Sequence, residues 1–409
     1  MVGSERTWRA ALSAEALVAK GTARRIMTVD GWQVSRVAVV HSFYSSREPS
    51  GENRAVEYQI DAMKRARISV RLVSQRTDDR EQSPAYRFEA AATVATGLGR
   101  TPLRALREFE PDIVHVHNLF PNFGRRWVED WDGPIVATLH NFRTVCAAGT
   151  FYRAGNICTL CAENSNSRSA VRFGCYRESH LASLPVAAGV RFDKDPLLRR
   201  ADRVIAVNQR IGDSVAQYAG VPRRRIATLP NFLPSPGPPG DGGDDWLFVG
   251  RLSAEKGILE LVRQWPREHR LTVIGDGPLR SEVESAAGPS VTMIGTRPAS
   301  EVGARLRDAL GLVVPSRWFE GCPLVYLEAL SAGTPVLAWD SSTVADLVQE
   351  QGSGAVVRDG DLKDTLDDAA TAFPSMRTQA RAAFDDHYTE RVWMRAIADV
   401  YSAARAMSR

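Results

Sequence analysis

The chain contains no apolar run near the ~20 residues that a membrane-spanning helix requires, so no membrane-embedded segment is expected. It also has little net charge. Its 52 Lys and Arg against 48 Asp and Glu leave +4 over 409 residues, which excludes a dominant nucleic-acid footprint. The first stretch, Met1 to Gln33, carries Arg and Lys but no continuous apolar segment before a small-residue cleavage site. It is read as an N-terminal extension (1–33) rather than a secretory signal, and a cytoplasmic location is expected. Cysteine is scarce, with five residues, four of them between Cys146 and Cys175; in that compartment such a set argues against disulfides.

What is present is ordinary globular composition, 44% hydrophobic and 24% charged, over a length that accommodates two domains with full cores. Short Val/Ile-rich runs alternate with helical patterns. Arg36–His41 reads as a strand and about Glu52 to Arg67 as a helix. Val70–Val73, Asp112–His117, Pro134–His140 and Arg203–Val207 read as further strands. This rhythm predicts a parallel sheet covered by helices. A Pro/Gly-dense stretch around 236–245 can continue neither helix nor strand and reads as a linker. The rhythm then restarts with Trp246–Val249, Leu271–Ile274, Val291–Ile294, Gly311–Val314 and Pro335–Ala338. The expected fold class is α/β, with two Rossmann-like doubly wound parallel-sheet domains, 34–235 and 246–388, facing across a cleft. A last helix within 389–409 is expected to pack back on the first domain. In such sheets ligands bind beyond the carboxyl ends of the strands.

The residues at those strand ends carry chemistry. Gly250 closes a strand and leads to Arg251 and Lys256, two cations on a turn entering a helix, an arrangement suited to a diphosphate; solvated charges on a surface turn are the alternative. Val314 ends another strand, followed by Glu320, Gly321, Pro323, Leu324 and Glu328. Pro323 suits a first helical turn. Glu328 sits among Leu324, Val325, Leu327, Ala329 and Leu330, where a carboxylate needs a partner; hydroxyls of a sugar and a ribose would supply partners for the two carboxylates. A cap plus a solvated helix face is the bland reading. In the first half, Ser50-Gly51 precedes a helix and reads equally as a close-approach loop or as an N-cap with Glu52 in the first turn. His140 ends a strand. His115 and His117 share one face of theirs, and a metal site with His140 is disfavoured for want of a supporting carboxylate motif.

At this point the chain resembles the retaining GT-B glycosyltransferases of family 4 (glycosyl transferases group 1). The matching motifs are Gly250-Arg-Leu-x4-Lys256-Gly257, Ile274-Gly-Asp-Gly-Pro278, Gly295 after a strand, and Glu320-x7-Glu328 closing on Ala332-Gly333-Thr-Pro335. The resemblance implies transfer of a hexose-type sugar from a UDP- or GDP-sugar donor to a glycan, lipid-linked or secondary-metabolite acceptor, with retention and no catalytic metal. It implies that Arg251 and Lys256 hold the diphosphate, Glu320 the donor sugar and Glu328 the ribose, and that Gly51, Gly250, Gly295, Gly321, Pro323 and Leu324 border the donor. It places His140 in the donor-sugar pocket, hydrogen bonding to a hydroxyl. Members usually carry two glycines where this chain has Ser50 and Gly51. Relatives often work at a membrane face or on anionic acceptors; Arg125-Arg126, Arg199-Arg200 and Arg223-Arg224-Arg225 are read first as solvated surface, with an anionic acceptor or peripheral contact with the inner face of a membrane as the alternative.

The cysteines run Cys146-x11-Cys158-x2-Cys161-x13-Cys175, a ligand count and spacing suited to a structural zinc knuckle; unligated buried thiols are the alternative. Two rival functions stay open: a sugar-nucleotide epimerase or phosphorylase on the same architecture, and a non-catalytic partner that binds nucleotide sugar.

Overall fold

The computed structural model describes residues 34–46, 50–358 and 361–408; the expected extension 1–33 lies outside them. Eight strands precede residue 230: β1 (Arg36–Phe43), β2 (Ser69–Arg76), β3 (Ile113–Asn118), β4 (Ile135–Leu139), a small hairpin of β5 (Tyr152–Arg153) and β6 (Asn156–Ile157), then β7 (Arg203–Ala206) and β8 (Ile226–Thr228). Outside the hairpin they form one parallel sheet in the order β2-β1-β3-β4-β7-β8. The second sheet is also parallel, β11-β10-β9-β12-β13-β14, from β9 (Trp246–Val249), β10 (Leu271–Ile274), β11 (Val291–Gly295), β12 (Gly311–Val314), β13 (Val336–Trp339) and β14 (Gly354–Val357). Two Rossmann-like domains are thus present.

The central strands are buried on both faces, as parallel strands covered by helices must be: Val37 to Val40 are fully buried, as are Val114, Val116, Leu312 and Val336. The helix Gly51–Arg65 packs Val56, Ile60 and Met63 against β1, and the last helix, Glu390–Met407, adds Trp393, Ile397, Tyr401 and Ala404 to that same core. The C-terminal helix therefore lies on the first sheet, although the helix before it, Leu362–His387, belongs to the second domain, where Phe373, Ala380 and Phe384 are buried. The Pro/Gly-rich stretch is stapled rather than loose. Arg377 donates to the carbonyls of Gly240, Ala309, Arg307 and Ala332 at 3.0–3.2 Å. Among the described residues no helix is long and apolar enough to cross a membrane.

Candidate active site

Both sheets turn the carboxyl ends of their strands toward one cleft, and the two domains touch there. Gly321 follows Glu320 on the loop after β12. A side chain at Gly321 would put its Cβ 2.5 Å from the His140 carbonyl, so glycine is what lets the two domains meet at this point. Asn208, just beyond β7, ties the contact. Its Oδ1 caps the helix Gln209–Tyr218 by accepting from the Ile211 amide at 2.8 Å, while its Nδ2 donates to the carbonyls of Glu320 (2.7 Å) and Gly321 (2.6 Å). Thr343 Oγ1 adds a 2.8 Å bond to the same Glu320 carbonyl. The Glu320 backbone is thereby fixed from both domains.

The Glu320 side chain is buried and accepts at Oε1 from Lys256 Nζ and from Ser316 Oγ, both at 2.6 Å. Lys256 stands one residue before Gly257, whose backbone is left-handed (φ +69°) and whose Cβ would lie 2.0 Å from the Pro315 carbonyl. That close approach brings the β9 loop onto the β12 loop and sets the 2.6 Å ion pair. Arg251 is exposed on the same loop, directly after β9 and Gly250. Gly275 backs it, since a Cβ there would fall 1.8 Å from the Gly250 carbonyl; the Gly275-Asp-Gly277 segment is a close-packing device, not only a turn. Gly295 ends β11 in a left-handed conformation (φ +69°) and accepts from the Gly275 amide at 3.1 Å.

Pro323 is the N-cap of the helix Leu324–Ser331, one position earlier than the first-turn placement the sequence suggested. Leu324 faces the first domain, 3.9 Å from where a Gly51 Cβ would stand. Ser50 caps the helix Gly51–Arg65, accepting from the Asn53 amide at 3.4 Å. Two helix N-termini therefore approach each other across the cleft, each with amides unspent inside its helix, which is an arrangement suited to an anion. Glu328 has the partner its apolar helix demands, but from the protein: Arg54 Nη2 lies 3.3 Å from Oε1. Burial still raises the Glu328 carboxyl above its usual range, with Arg54 opposing.

His140 belongs to a cluster of four histidines and stacks on one of them, His117. His117 Nδ1 lies 3.1 Å from His140 Nε2 in a stacked pair. His115 is bonded to Tyr401 (2.8 Å) and Thr138 (2.7 Å), and His41 to Asn53 (3.0 Å). Burial lowers all four, His41 to about 4, His115 and His140 to about 3, and His117 well below 6.5. Burial thus disfavours the charged form of all four rings, His140 among them.

The four clustered cysteines carry free thiols. They do gather: burial pushes the Cys161 thiol up to about 11, and the nearness of Cys146, Cys175 and Cys158 adds to it. Among the described residues, however, no group of three or more His, Cys, Asp or Glu side chains stands ready to hold a metal ion. The tetrahedral zinc set expected from the spacing is approached and not assembled. The arginine runs divide between internal contacts and the surface. Arg125 pairs with Asp195 at 2.8 Å, Arg200 donates to the carbonyls of Trp131 and Gly133, Arg225 to those of Leu198, Arg199 and Ala201, and Arg223 pairs with Asp213. These four side chains staple the first domain together, while Arg126, Arg199 and Arg224, one in each run, are exposed.

Sequence reasoning missed Asn208, Arg54 and Glu52. Asn208 follows a strand and precedes a helix, which is a readable cap signal. Its cross-domain bonds, and the 274-residue separation of Arg54 from Glu328, have no local signature.

Against known proteins, the model described as Glycosyltransferase Family 4 matches residues 49–234 and the one described as Glycosyl transferases group 1 matches 243–373. The chain belongs to the GT-B glycosyltransferases. It is 25% identical over 342 residues to a glycogen synthase of Mycobacterium tuberculosis, covering 77% of this chain and 74% of that protein. It is 28% identical over 344 residues to a 2-deoxystreptamine N-acetyl-D-glucosaminyltransferase of Streptomyces fradiae, 75% of each. Among solved structures, the sucrose-phosphate synthase of Thermosynechococcus elongatus aligns with TM-score 0.65 at 16% identity, over 91% of this chain and 99% of that one. Anabaena HepE in complex with UDP-glucose aligns with TM-score 0.55 at 15% identity, over 90% and 99%. This chain is a glycosyltransferase.

Proposed function

We propose that the enzyme moves a hexose-type sugar from a UDP-sugar, with retention, to a hydroxyl of a glycan, lipid-linked or secondary-metabolite acceptor, without a catalytic metal. The observation that carries this reading is the 2.6 Å Lys256–Glu320 pair, on the loops after two neighbouring strands, opposite His140. A donor entering the cleft exchanges that internal pair for two ligand contacts. Lys256 and Arg251 take the diphosphate, and Glu320 is released to the hydroxyls of the donor sugar. Glu328 likewise exchanges Arg54 for the ribose hydroxyls, and His140, kept neutral, hydrogen bonds to the sugar.

As the bond from the anomeric carbon to the diphosphate breaks, charge grows on the leaving phosphate. Lys256, Arg251 and the helix start near Leu324 stabilise that charge, which removes the need for a metal ion in this role. The acceptor hydroxyl attacks from the side the phosphate leaves, and its proton passes to a leaving phosphate oxygen. Support for UDP comes from the UDP-glucose named in the HepE complex. A structural zinc on Cys146, Cys158, Cys161 and Cys175 is part of the proposal and rests on their spacing and shared neighbourhood.

Lys256→Ala and Glu320→Gln test the reading. Each lowers turnover by at least ~10²-fold, the scale of losing one preorganised charge stabiliser, and the anomeric configuration of the product, read by NMR, matches that of the donor. Near-normal turnover in either variant, or an inverted product, overturns it.

A further inference from the structure

No residue of the turn that carries Lys256 is buried. Ala254–Lys256 is a single 3-10 turn, closed by the bonds of the Lys256 amide to the Ser253 carbonyl and of the Gly257 amide to the Ala254 carbonyl, both at 3.1 Å. One turn gains nothing from helix cooperativity. Its ends are anchored, by the Leu252 amide on the Asp276 carbonyl (3.0 Å) and by the close approach of Gly257 to Pro315. Between those anchors the turn takes bonds from both domains. From its own, the Arg317 amide donates to the Glu255 carbonyl at 3.0 Å. From the other, Tyr152 Oη donates to the Ala254 carbonyl at 3.4 Å.

Tyr152 stands on the β5–β6 hairpin, which the first domain extends between Cys146 and Cys158. The hairpin reverses at Ala154 and Gly155, both left-handed (φ +48° and +83°), as a tight two-residue turn requires. Its root is fixed. The Gly149 amide donates to the Cys146 carbonyl (2.9 Å), the Phe142 amide to that of Gly149 (3.1 Å) and the Cys158 amide to that of Phe151 (2.8 Å). The Arg153 guanidinium lies over the Phe173 ring at 4.0 Å, two residues before Cys175. Phe151 is buried and meets Phe142 at 4.7 Å between centroids, and Phe142 meets Phe319, the residue before Glu320, at 6.1 Å. Neighbouring residues of one hairpin thus reach both donor loops: Tyr152 the turn of Lys256, and Phe151, through Phe142, the loop of Glu320. The packing of Phe151 serves the first domain, whereas the Tyr152 hydroxyl bonds across the cleft.

We propose that this hairpin is a strap for the donor and that Tyr152 is a positioning residue, which sets Lys256 for the diphosphate by holding the Ala254 carbonyl from the opposite domain. The proposal rests on the donor reading above. Burial raises the Tyr152 phenol above its usual range, with Arg317 opposing and Glu260 and Glu255 adding to it, so the hydroxyl keeps its proton and donates. At 3.4 Å the bond is longer than the roughly 2.5–3.0 Å of a full hydroxyl hydrogen bond. Donor binding shortens it, and by reciprocity the strap tightens donor binding.

The test uses UDP and GDP as probes, with calorimetry for affinity and hydrogen exchange for the strap, so it needs no acceptor. Wild type binds one of the two nucleotides, and binding slows exchange across residues 150–157. Tyr152→Phe removes the hydroxyl and keeps the ring. It weakens that nucleotide about three- to tenfold, the scale of one neutral hydrogen bond. In the free variant the Gly257 amide exchanges faster, while the Cys158 amide and the melting temperature are unchanged; a merely structural hydroxyl would loosen the hairpin itself. Unchanged nucleotide affinity in Tyr152→Phe overturns the proposal. So does a loss of affinity that comes with a loosened Cys158 amide, or a wild-type strap whose exchange the bound nucleotide leaves unaltered. Failure of wild type to bind either nucleotide instead refutes the donor reading itself.

Discussion

Lowering the pH from 7 should destabilise this protein steeply, because four histidines are folded into its core uncharged. In the unfolded chain each titrates near 6.5. In the folded protein His41 is lowered to about 4, His115 and His140 to about 3, and His117 well below 6.5, all chiefly by burial. Between about pH 6 and 4.5 the unfolded state therefore binds protons that the folded state refuses, so stability rises with pH across that window. Each histidine contributes about 1.4 kcal/mol per pH unit at full effect. Two carboxyls work in the opposite sense. Burial raises Glu52 to about 7 and Glu328 above its usual range, so the folded state holds protons there that the unfolded state releases, and acidification favours it. Four histidines less Glu52 leave at most three protons, about 4.1 kcal/mol lost per pH unit, and the raised Glu328 carboxyl reduces that further. Across that window the loss is several kcal/mol, a large fraction of a total of ~5–15 kcal/mol. Urea melts at pH 7.0, 6.0, 5.0 and 4.5 read the slope directly. His115→Gln, which keeps hydrogen-bonding capacity for Tyr401 and Thr138 without titrating, flattens the slope by about 1.4 kcal/mol per pH unit. Stability that is flat or rising on acidification between pH 6 and 5 refutes the reasoning.

Two further predictions come from the site and its flank. Asn208→Ala removes both a helix cap, worth ~1 kcal/mol, and the two donations that hold the Glu320 loop, whereas Asn208→Asp keeps an acceptor for the Ile211 amide. Thermal melts should show the Asp variant the more stable of the two, while both lose at least ~10-fold in turnover; an Asp variant with normal turnover would disconnect the loop from catalysis. Metal analysis of purified protein should find about one zinc per chain on the four clustered thiols; substoichiometric zinc with four freely titratable thiols removes the knuckle from the account.

How much of this was legible in the sequence depends on locality. The inner strands show as Val/Ile runs because both their faces are buried. The edge strands β8 (Ile226–Thr228) and β14 (Gly354–Val357) did not. Both are short, and β14 begins at Gly354, needed because a Cβ would lie 1.9 Å from the Val336 carbonyl. The outer half of β2, through Ser74, Gln75 and Arg76, is polar because it borders the sheet. The helix Leu362–His387 carries Pro374 inside it, which breaks the pattern a reader looks for. At the site, Lys256, Glu320 and His140 were readable because each lies at or just beyond a strand end, and Glu328 because a carboxylate stands out in an apolar helix. Glu52 read as a first-turn carboxylate, since nothing local reveals that Asn141 and Arg143 close around it. Arg54 was invisible for the same reason: its partner is on the other domain.

The central claim is that the Lys256–Glu320 cleft binds a nucleotide sugar. The most direct measurement is thermal stabilisation of the purified protein by a panel of UDP- and GDP-sugars, in chelator and without added metal. Ligand binding to the native state stabilises by mass action, about 2.7 kcal/mol at a hundredfold excess over Kd. The account predicts a saturable rise in melting temperature with a UDP-sugar that disappears in Lys256→Ala. A melting temperature unmoved by every donor, or a rise that survives Lys256→Ala unchanged, contradicts it.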